Sequence, residues 1–589
     1  MSDLHFSQDR PTDVEAAAVD AVVNAWLGPA TVASGERLVI GGRARRHERR
    51  HLLLPCLHAL QRMAGWISPG GLNHVSHMLQ VPPAEAYGVA TFYDLFRVED
   101  PGHDDDVVHV CVDAACQLAG STDTVAALEA EGRQIQASAC LGQCERPVAL
   151  FVQGRAKPDH VPIDHVDAEG VDADGVLAGG ARSVPQAGDP RLRLLRRVGV
   201  TSPTDLSAYV GSGGYRALTQ AFTRSPSGVI DEVEASGLMG RGGAGFPTGV
   251  KWRAVAAEDG PKYVVVNADE SEPGTFKDRV LMENDPFALI EAATIAGFAT
   301  GASKGWIYLR GEYPLAAERL TEAMAQATEA GFLGARIARS SFSFELELGR
   351  GAGAYVCGEE TALFNSLEGY RGEPRQKPPF PTTSGLFGRP TAVNNPETLL
   401  NVIDIVDRGG AAYSQLGTDG SSGTKLFCLS GHVGRPGVYE VEFGATLGEL
   451  LDLAGGVDGE LRAVLLGGAA GSFVGSDRLD LPLSFEGTQA AGLSLGSGVV
   501  MAFNTGTDFD AIVTRIAQFF RNESCGQCVP CRIGTARQHE LLVAASGGPA
   551  PVDVGLLDEM DRAMKDASIC GLGHSAATAV RSALDLELI

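Results

Sequence analysis

Long apolar runs are missing from this sequence of 589 residues. No stretch of about 18 or more uncharged apolar residues occurs, the length that a membrane-spanning helix needs. The first residues, MSDLHFSQDRPTDVE, contain neither an apolar signal core nor a twin arginine. We therefore expect a cytoplasmic protein without a membrane span. Its 11 cysteines should then be ligands, catalysts or buried thiols rather than disulfides.

Positive charge is also scarce, with 48 lysine and arginine residues against 73 aspartate and glutamate residues and a net charge of −25. This balance disfavours a nucleic-acid-binding function, because phosphate contacts need a basic surface. An anionic dinucleotide would have to be held by backbone N–H groups and a few local cations. The length predicts about three to five domains.

Two sets of cysteines carry the strongest pattern. Near the C-terminus, three cysteines follow C-x2-C-x2-C and a fourth stands alone: Cys525, Cys528, Cys531 and Cys570. Their sulfurs should converge, and a [4Fe-4S] cube needs four thiolates. Tetrahedral zinc is the alternative. Zinc sites usually consist of two C-x2-C pairs, however, so the pattern favours the cube.

The second set is a C-x4-C pair and a C-x3-C pair: Cys111, Cys116, Cys140 and Cys144. The first pair follows a predicted strand at 107–112, and the second precedes one at 148–152. Loops at one end of a small sheet could present four thiolates to a [2Fe-2S] cluster, two per iron. Zinc and a redox dithiol are the alternatives, and the dithiol is disfavoured because neither pair is C-x-x-C.

A glycine loop runs from Gly240 to Lys251, with four glycines in six residues at its centre. Such a loop lets backbone N–H groups close around a phosphate without steric conflict from Cβ atoms. It is neither a Walker A loop nor the GxGxxG opening of a Rossmann helix. A flexible surface turn is the alternative, but Phe246 and Trp252 suit stacking on a flat ring better than a solvated turn.

Two acidic segments complete the candidate site. Asn267-Ala268-Asp269-Glu270-Ser271 directly follows a predicted strand, where α/β folds place ligands, although alone it would be an ordinary acidic turn. Glu359 and Glu360 follow a glycine turn, and there one carboxylate could bind ribose hydroxyls and repel a 2′-phosphate. The alternative is an acid-rich first turn of a helix.

These features together resemble the NADH-oxidising flavoprotein family of respiratory complex I, the 51 kDa type, over about 200–589. The resemblance is carried by both loops, the Gly358-Glu359-Glu360 turn, Lys377-Pro378-Pro379-Phe380-Pro381, Asn394-Asn395 and the C-terminal cysteines. Residues about 12–155 resemble the 24 kDa-type partner of that family. The two types are fused here, as in the diaphorase subunits of soluble NAD-linked hydrogenases and formate dehydrogenases.

The resemblance implies an α/β multidomain fold. Its expected parts are an N-terminal helical bundle (12–98), a thioredoxin-like [2Fe-2S] domain (105–185), a linker and lead-in (186–235), a Rossmann-like FMN- and NAD-binding α/β domain (236–423), a ubiquitin-like β-grasp module (424–505) and a helical [4Fe-4S] domain (506–589). A surface loop leading into the linker is expected at about 157–190.

The resemblance also implies roles for particular residues. The expected cofactor-binding residues are Gly240, Arg241, Gly242, Gly243, Ala244, Gly245, Phe246, Lys251, Asn267, Asp269, Glu270, Ser271, Tyr355, Gly358, Glu359, Glu360, Phe380, Asn394 and Asn395. Glu272, at the nicotinamide end, and Glu360, at the adenosine ribose, are the expected catalytic residues. Phe246 and Phe380 should stack on adenine. The family often has another aromatic residue where this chain has Ala254, which predicts looser stacking.

The implied function is an NADH/NAD+ diaphorase that exchanges hydride with FMN and single electrons with iron–sulfur clusters. The family places the [2Fe-2S] cluster beside the main electron path. Only about 19 residues follow Cys570, so we expect the other redox half on a separate subunit. The segment 564–574 resembles formate dehydrogenase β subunits somewhat more than hydrogenase ones, which favours a molybdenum or tungsten partner over a nickel hydrogenase or complex I.

Two functions of other classes stay open at this point. One is an electron-transfer scaffold that has lost flavin or dinucleotide binding, and the other is a zinc-structured interaction protein.

Overall fold

The computed structural model describes residues 8–27, 49–100, 102, 106–155, 159, 161, 183–546 and 552–589. The predicted α/β multidomain fold is confirmed. Most of the surface loop predicted at 157–190 lies outside the described residues. Within the described part, no helix is long and apolar enough to cross a membrane.

The N-terminal unit is helical, as its apolar periodicity predicts. Its helices are α1 (Asp13–Leu27), α2 (Leu53–Ala64), α3 (Pro69–Leu79) and α4 (Pro83–Ala90). Helix α3 starts where the Ser68 side chain accepts a hydrogen bond from the Gly71 N–H, a typical N-cap. The Arg50 side chain donates to the Gly369 carbonyl over 3.1 Å, which attaches this unit to the large α/β unit.

A small sheet carries the first cysteine set. Its strands are β1 (Val107–Cys111), β2 (Gln134–Ser138) and β3 (Leu150–Gln153), with α5 (Ala114–Leu118) and α6 (Ser121–Ala130) between β1 and β2. The strand order is β2-β1-β3, with β2 parallel and β3 antiparallel to β1. Strand β2 was not among the predicted strands, because this half-exposed edge strand contains polar residues instead of an apolar run.

The large α/β unit is built on four parallel strands, in the order β6-β5-β4-β7. They are β4 (Tyr263–Ala268), β5 (Lys304–Leu309), β6 (Glu345–Arg350) and β7 (Thr391–Asn394). Its helices are α10 (Thr248–Ala257), α11 (Lys277–Asn284), α12 (Pro286–Thr300), α13 (Pro314–Glu329), α14 (Glu360–Leu367), α15 (Pro381–Ser384), α16 (Pro396–Arg408) and α17 (Gly410–Tyr413). The strand predicted just before the Asn267 segment corresponds to β4.

The segment 186–235, predicted as a linker and lead-in, contains three helices. They are α7 (Leu206–Gly211), α8 (Arg216–Thr223) and α9 (Pro226–Ala235). The buried Glu291 carboxylate of α12 accepts hydrogen bonds from the Tyr209 hydroxyl (2.5 Å), the Tyr215 N–H (2.8 Å) and the Leu218 N–H (3.0 Å). These bonds hold the segment against the large unit, and the exact domain boundary stays a prediction.

A five-stranded module follows, in the order β11-β10-β12-β8-β9. Its elements are β8 (Thr424–Gly431), β9 (Gly437–Glu442), α18 (Leu447–Leu453), β10 (Leu461–Leu466), β11 (Ser472–Gly475), α19 (Phe485–Ala490) and β12 (Val499–Asn504). One face of the sheet forms a separate apolar core around Phe427 and Leu450.

In the last unit, whose residues 506–546 and 552–589 the structure describes, there are five helices: α20 (Phe509–Glu523), α21 (Val529–Ser546), α22 (Val554–Ala567), α23 (Gly571–Ser575) and α24 (Thr578–Asp585). Short 3-10 turns occur at Arg50–Leu52, Ile337–Arg339, Tyr355–Gly358, Leu386–Gly388 and Ser476–Arg478. The Arg515 side chain of α20 donates to Asp113 over 2.6 Å, so this unit also contacts the small sheet.

Candidate flavin, dinucleotide and iron–sulfur site

The candidate site lies where the order of strands in the large sheet reverses. From β4 the chain continues to β5 and β6 on one side, whereas β7 pairs with β4 on the other side. The strand order therefore switches between β4 and β7, and parallel α/β sheets bind ligands beyond the carboxyl ends of the strands at such a point. Asn267 is the last residue but one of β4, and Asn394 ends β7, on directly paired strands.

The glycine loop closes back on itself in front of α10. The Gly240 N–H donates to the Phe246 carbonyl, and the Thr248 N–H donates to the Leu238 carbonyl, both over 2.9 Å. Gly243 and Gly245 have φ values of 119° and 60°, a region that residues with a Cβ rarely adopt. Glycine at these two positions therefore permits the tight turn that exposes backbone to the crevice.

Two adjoining cavities occupy this crevice. The first, of about 520 Å³, is in the usual range for cofactor sites, about 300–1,000 Å³. The second measures about 660 Å³. Both are lined by Gly242, Ala244, Asn267, Gly358, Glu359 and Asn395. We call the first the flavin cavity and the second the dinucleotide cavity, after the ligands predicted for them. Because they share these residues, they form one continuous cleft.

The structure brings nearly all of the predicted cofactor residues to this cleft. The flavin cavity adds Gly243, Asp269, Glu270, Ser271, Glu272 and Tyr355 to the shared lining. The dinucleotide cavity adds Gly240, Gly245, Phe246, Lys251, Glu360, Phe380 and Asn394. Phe246 and Phe380 are 51% and 58% exposed, which leaves their rings available to a flat ligand. Ala254 lines the same cavity.

Arg241 does not line either cavity. Its buried guanidinium donates to the carbonyls of Met239 (3.1 Å) and Ser422 (2.7 Å) and packs on the Phe443 ring. The structure thus gives Arg241 a different position from the predicted one: it supports the glycine loop from behind. Trp252, expected to suit ring stacking, is also fully buried and donates its indole N–H to Asn394.

Several lining residues were not predicted from the sequence. The flavin cavity is also lined by Thr275, Lys277, Asp278, Gly467, Ala470, Gly471, Ser494, Gly496, Ser497, Gly571, Leu572, His574 and Ser575. Lys277 and Asp278 continue the polar segment after β4, so proximity in sequence could have suggested them. The residues between 467 and 497 come from loops of the five-stranded module, whose only signal is their glycine content.

Glu272 is the best-defined acid in the flavin cavity. Its carboxylate accepts hydrogen bonds from the Tyr355 hydroxyl (2.5 Å) and the Ala470 N–H (2.8 Å). Burial raises its pKa to about 7, and these two donors oppose the rise. Burial also raises the pKa of Asp269 to about 7. Burial raises the pKa of Glu270, which lines the same cavity, to about 8. The cavity thus holds three carboxyl groups that titrate near neutral pH.

The predicted ribose-binding acids form an ion-pair cluster with one lysine. The Lys377 ammonium lies 2.7 Å from a Glu359 oxygen and 2.9 Å from a Glu360 oxygen. Glu359 also caps α14 by accepting from the Thr361 and Ala362 N–H groups. Two carboxylates face this one ammonium, and Lys251 of the same cavity is a second electrostatic partner of Glu360.

The first cysteine set converges beneath the loop that follows β4, residues 269–276, which we call the polar loop. Cys111, Cys116, Cys140 and Cys144 are all buried, and the Cys140 and Cys144 sulfurs are 3.5 Å apart. Hydrogen bonds from Cys111 and Cys144 lower the pKa of Cys140 well below its usual range. The nearby Arg310 and a hydrogen bond from the Gly274 backbone lower it further. The same contacts raise the pKa values of Cys111 and Cys144, so these thiols lie close enough to interact, as the ligands of one cluster must.

The second cysteine set is gathered between α20, α21 and α23. Burial raises the pKa of Cys531 to about 12 and of Cys570 to about 11, and the other thiols of the set add to both rises. These thiols are therefore close together. Cys570 also lines the flavin cavity. Glu523, which precedes the set, accepts a hydrogen bond from the Tyr355 N–H over 2.8 Å.

In the part of the chain that the structure describes, no three histidine, cysteine, aspartate or glutamate side chains are placed so that they could hold one metal ion. The cysteine ligands of an iron–sulfur cluster bind different iron atoms, whereas zinc takes all its ligands on one ion.

Known proteins match this chain over most of its length. It is 44% identical over 397 residues to the second F-type NADH-quinone oxidoreductase chain of Rhizobium meliloti, covering 66% of this chain and 94% of that protein. The chain belongs to the Nuo51 family of NADH-oxidising flavoproteins. It is also 42% identical over 405 residues to the NADP-reducing hydrogenase subunit HndC of Solidesulfovibrio fructosivorans, covering 67% and 82%.

Four family models match parts of this Nuo51-family chain. They are the Nuo51 FMN-binding domain (233–404), the NADH-ubiquinone oxidoreductase-F iron-sulfur binding region (511–586), a thioredoxin-like [2Fe-2S] ferredoxin (42–160) and an SLBB domain (426–466). A crystal structure of an NAD+-reducing [NiFe]-hydrogenase superposes with a TM-score of 0.76 at 33% identity and covers 91% of both chains.

These matches confirm the predicted family, enzyme class and cofactors. The protein is an NAD-dependent flavin and iron–sulfur oxidoreductase with FMN, [2Fe-2S] and [4Fe-4S] centres, of the complex I or hydrogenase type. The roles of individual residues stay predictions.

We expect NADH binding to weaken as pH rises through about 7. Below that pH Glu272 is mostly neutral, because burial raises its pKa to about 7; above it, the carboxylate repels an anionic dinucleotide. NADH affinity should be measured from pH 5.5 to 8.5. Tyr355→Phe removes a donor to the carboxylate, so it should move the transition upward.

The Glu272→Gln variant provides the control for this pH effect. It should lose most of the transition, and adding Asp269→Asn should flatten what remains. A wild-type affinity that does not change across this range, or a transition near pH 7 that survives in the double variant, would contradict the assignment to these two acids; Glu270, with its pKa raised to about 8, should account for any change at higher pH.

Proposed function

We propose that this Nuo51-family chain is the NAD(H)-exchanging subunit of a cytoplasmic multi-subunit complex. One observation carries the proposal: the flavin cavity is lined both by the polar loop after β4 and by Cys570, a predicted [4Fe-4S] ligand. A flavin bound there would be in contact with the segment that holds the cube. FMN supplies the conversion between hydride transfer and single-electron transfer.

The chain's own residues would bind and orient the dinucleotide. Phe246 and Phe380 would hold the adenine, and Glu360 would accept hydrogen bonds from the adenosine ribose. Glu272, fixed by Tyr355 and by the Ala470 N–H, would position the nicotinamide end. The cleft is continuous from the exposed phenylalanines to Glu272, which supports an extended dinucleotide along it.

The predicted ligand sets define two electron routes. Cys525, Cys528, Cys531 and Cys570 would hold the exit cluster, since Cys570 adjoins the flavin cavity and three of the four thiols are partly exposed. Cys111, Cys116, Cys140 and Cys144 are fully enclosed on another side of the polar loop. We therefore assign the [2Fe-2S] cluster to a side branch.

The partner is proposed from the C-terminal segment 564–574, which resembles formate dehydrogenase β subunits. On that basis the other redox half is a molybdenum or tungsten formate dehydrogenase subunit with further iron–sulfur clusters. The second candidate is a nickel hydrogenase, supported by the likeness to an NAD+-reducing [NiFe]-hydrogenase chain over 91% of both chains. A fused NADH-input module of complex I is the third.

Metal analysis of the native complex distinguishes these partners. The chain should be tagged in its own cells and the complex purified without dissociation. We expect molybdenum or tungsten together with NAD-linked formate oxidation. Nickel with hydrogen-dependent NAD+ reduction would replace the formate assignment with the hydrogenase one, and quinone-linked NADH oxidation without either metal would favour complex I.

The two cysteine sets should separate in function. Cys528→Ala should leave NADH able to reduce FMN but stop electron delivery to the partner, because the flavin cavity is built from other residues. Cys116→Ala should remove the [2Fe-2S] signal and spare most of the turnover. Stopped-flow flavin reduction, electron paramagnetic resonance and steady-state turnover provide the readouts.

A matched control is Cys56→Ala, which removes a buried thiol of α2 outside both sets. It should change neither electron delivery to the partner nor the [2Fe-2S] signal. Loss of turnover in Cys116→Ala, with FMN and the cube retained, would move the [2Fe-2S] cluster onto the main path.

Dinucleotide choice should depend on the charge around Lys377. A 2′-phosphate would face the Glu359–Glu360–Lys377 cluster, and like-charge contacts at an interface can cost several kcal/mol. We expect NAD to be preferred, Glu360→Gln to relax the preference and Lys377→Met to strengthen it. The ratio of kcat/KM for NADH and NADPH measures this. Equal ratios in all three proteins would rule out the electrostatic explanation.

A further inference from the structure

A buried arginine joins the first cysteine set to the polar loop of the flavin cavity. Arg310 directly follows β5 and is 3% exposed. One of its terminal nitrogens donates to the Cys140 carbonyl and the other to the Glu270 carbonyl, each over 2.7 Å. The same side chain therefore contacts the backbone of a predicted cluster ligand and the backbone of a residue that lines the flavin cavity.

Glu312 is the acid that pairs with this arginine. Its carboxylate lies 2.7 Å from the Arg310 guanidinium and is itself buried. It accepts from the same terminal nitrogen that donates to the Cys140 carbonyl, so a positive and a negative charge both lie near Cys140. Neither residue belongs to the predicted cofactor-binding residues, and neither lines the flavin or the dinucleotide cavity.

The burial of the pair explains why its charges should affect the reduction potential of the cluster. Both residues are shielded from water, so the screening that weakens surface charges is largely absent. Reduction adds one negative charge to an iron–sulfur cluster, and nearby charges and hydrogen bonds tune the potential of such clusters. A fixed cation therefore favours the reduced form, and a fixed anion opposes it.

We propose that Arg310 and Glu312 are positioning residues that set the reduction potential of the [2Fe-2S] cluster, with Arg310 raising it and Glu312 lowering it. The proposal rests on the assignment of Cys140 as a ligand. Since Arg310 follows a strand of the large α/β unit, the potential of a cluster in one domain is set by a charge that another domain supplies.

The test uses the full chain, reconstituted with iron, sulfide and FMN, in a redox titration that is monitored by electron paramagnetic resonance. Arg310→Gln should make reduction of the [2Fe-2S] cluster at least tenfold less favourable, a shift of about 59 mV to lower potential for one electron. Glu312→Gln should shift the midpoint in the opposite direction, because it leaves the arginine charge unopposed. Arg310→Lys keeps the charge, so the [2Fe-2S] midpoint of this variant should lie closer to that of the unmodified protein.

The opposite signs separate this role from a purely structural one, because local misfolding would not raise the potential in one variant and lower it in the other. The [4Fe-4S] midpoint serves as an internal reference and should not move. Arg197→Gln is a matched control, since Arg197 is similarly buried and pairs with Asp285, and it should leave the [2Fe-2S] midpoint unchanged.

Shifts of the same sign in the Arg310→Gln and Glu312→Gln variants, or no shift in either with the cluster intact, would overturn the proposal. Retention of the [2Fe-2S] signal in Cys140→Ala would remove the ligand assignment and the proposal with it. That outcome would leave the flavin and [4Fe-4S] part of the proposed function standing, so the two failures are distinguishable.

Discussion

The architecture depends on the change of strand order between β4 and β7. These parallel strands are paired, while β5 and β6 lie on the other side of β4, and α/β sheets bind ligands in the gap beyond the carboxyl ends of strands at such a switch point. The glycine loop, the polar loop after β4 and the start of α16 all reach this gap. The five-stranded module and the C-terminal helices then supply the remaining wall of the flavin cavity, and the two cysteine sets are arranged around it.

Buried charge holds these units together behind the cavity. The Glu397 carboxylate on α16 lies 3.0 Å from the Lys277 ammonium and 3.2 Å from that of Lys425, and it accepts a hydrogen bond from the Leu426 N–H. Lys425 belongs to the five-stranded module, so one carboxylate joins the two units. Removing one partner of such a buried pair typically costs about 3–5 kcal/mol, which makes the junction sensitive to single substitutions.

Tyr355 connects the cavity to the cluster regions. Its hydroxyl donates to Glu272, its N–H donates to Glu523, and its ring packs edge-on against Phe519 of α20. Arg310 makes the corresponding connection to the [2Fe-2S] unit. In both cases hydrogen bonds join a cluster-bearing segment to residues that line the flavin cavity. A displacement of that segment would therefore also displace those residues.

The sequence by itself determined the family, the cofactors and the lining residues of the glycine loop, of the segment after β4 and of the Gly358-Glu359-Glu360 turn. These features are local: cysteine spacing, glycine at positions of positive φ, and acids directly after a buried strand. It could not determine which side chains turn inward. Arg241 and Trp252 are adjacent to lining residues but are buried in the core. The contributions of the 467–497 loops, the Glu359–Glu360–Lys377 cluster and the Arg310–Glu312 pair depend on contacts between residues distant in the chain or on burial. Only the tertiary packing of the chain decides such contacts.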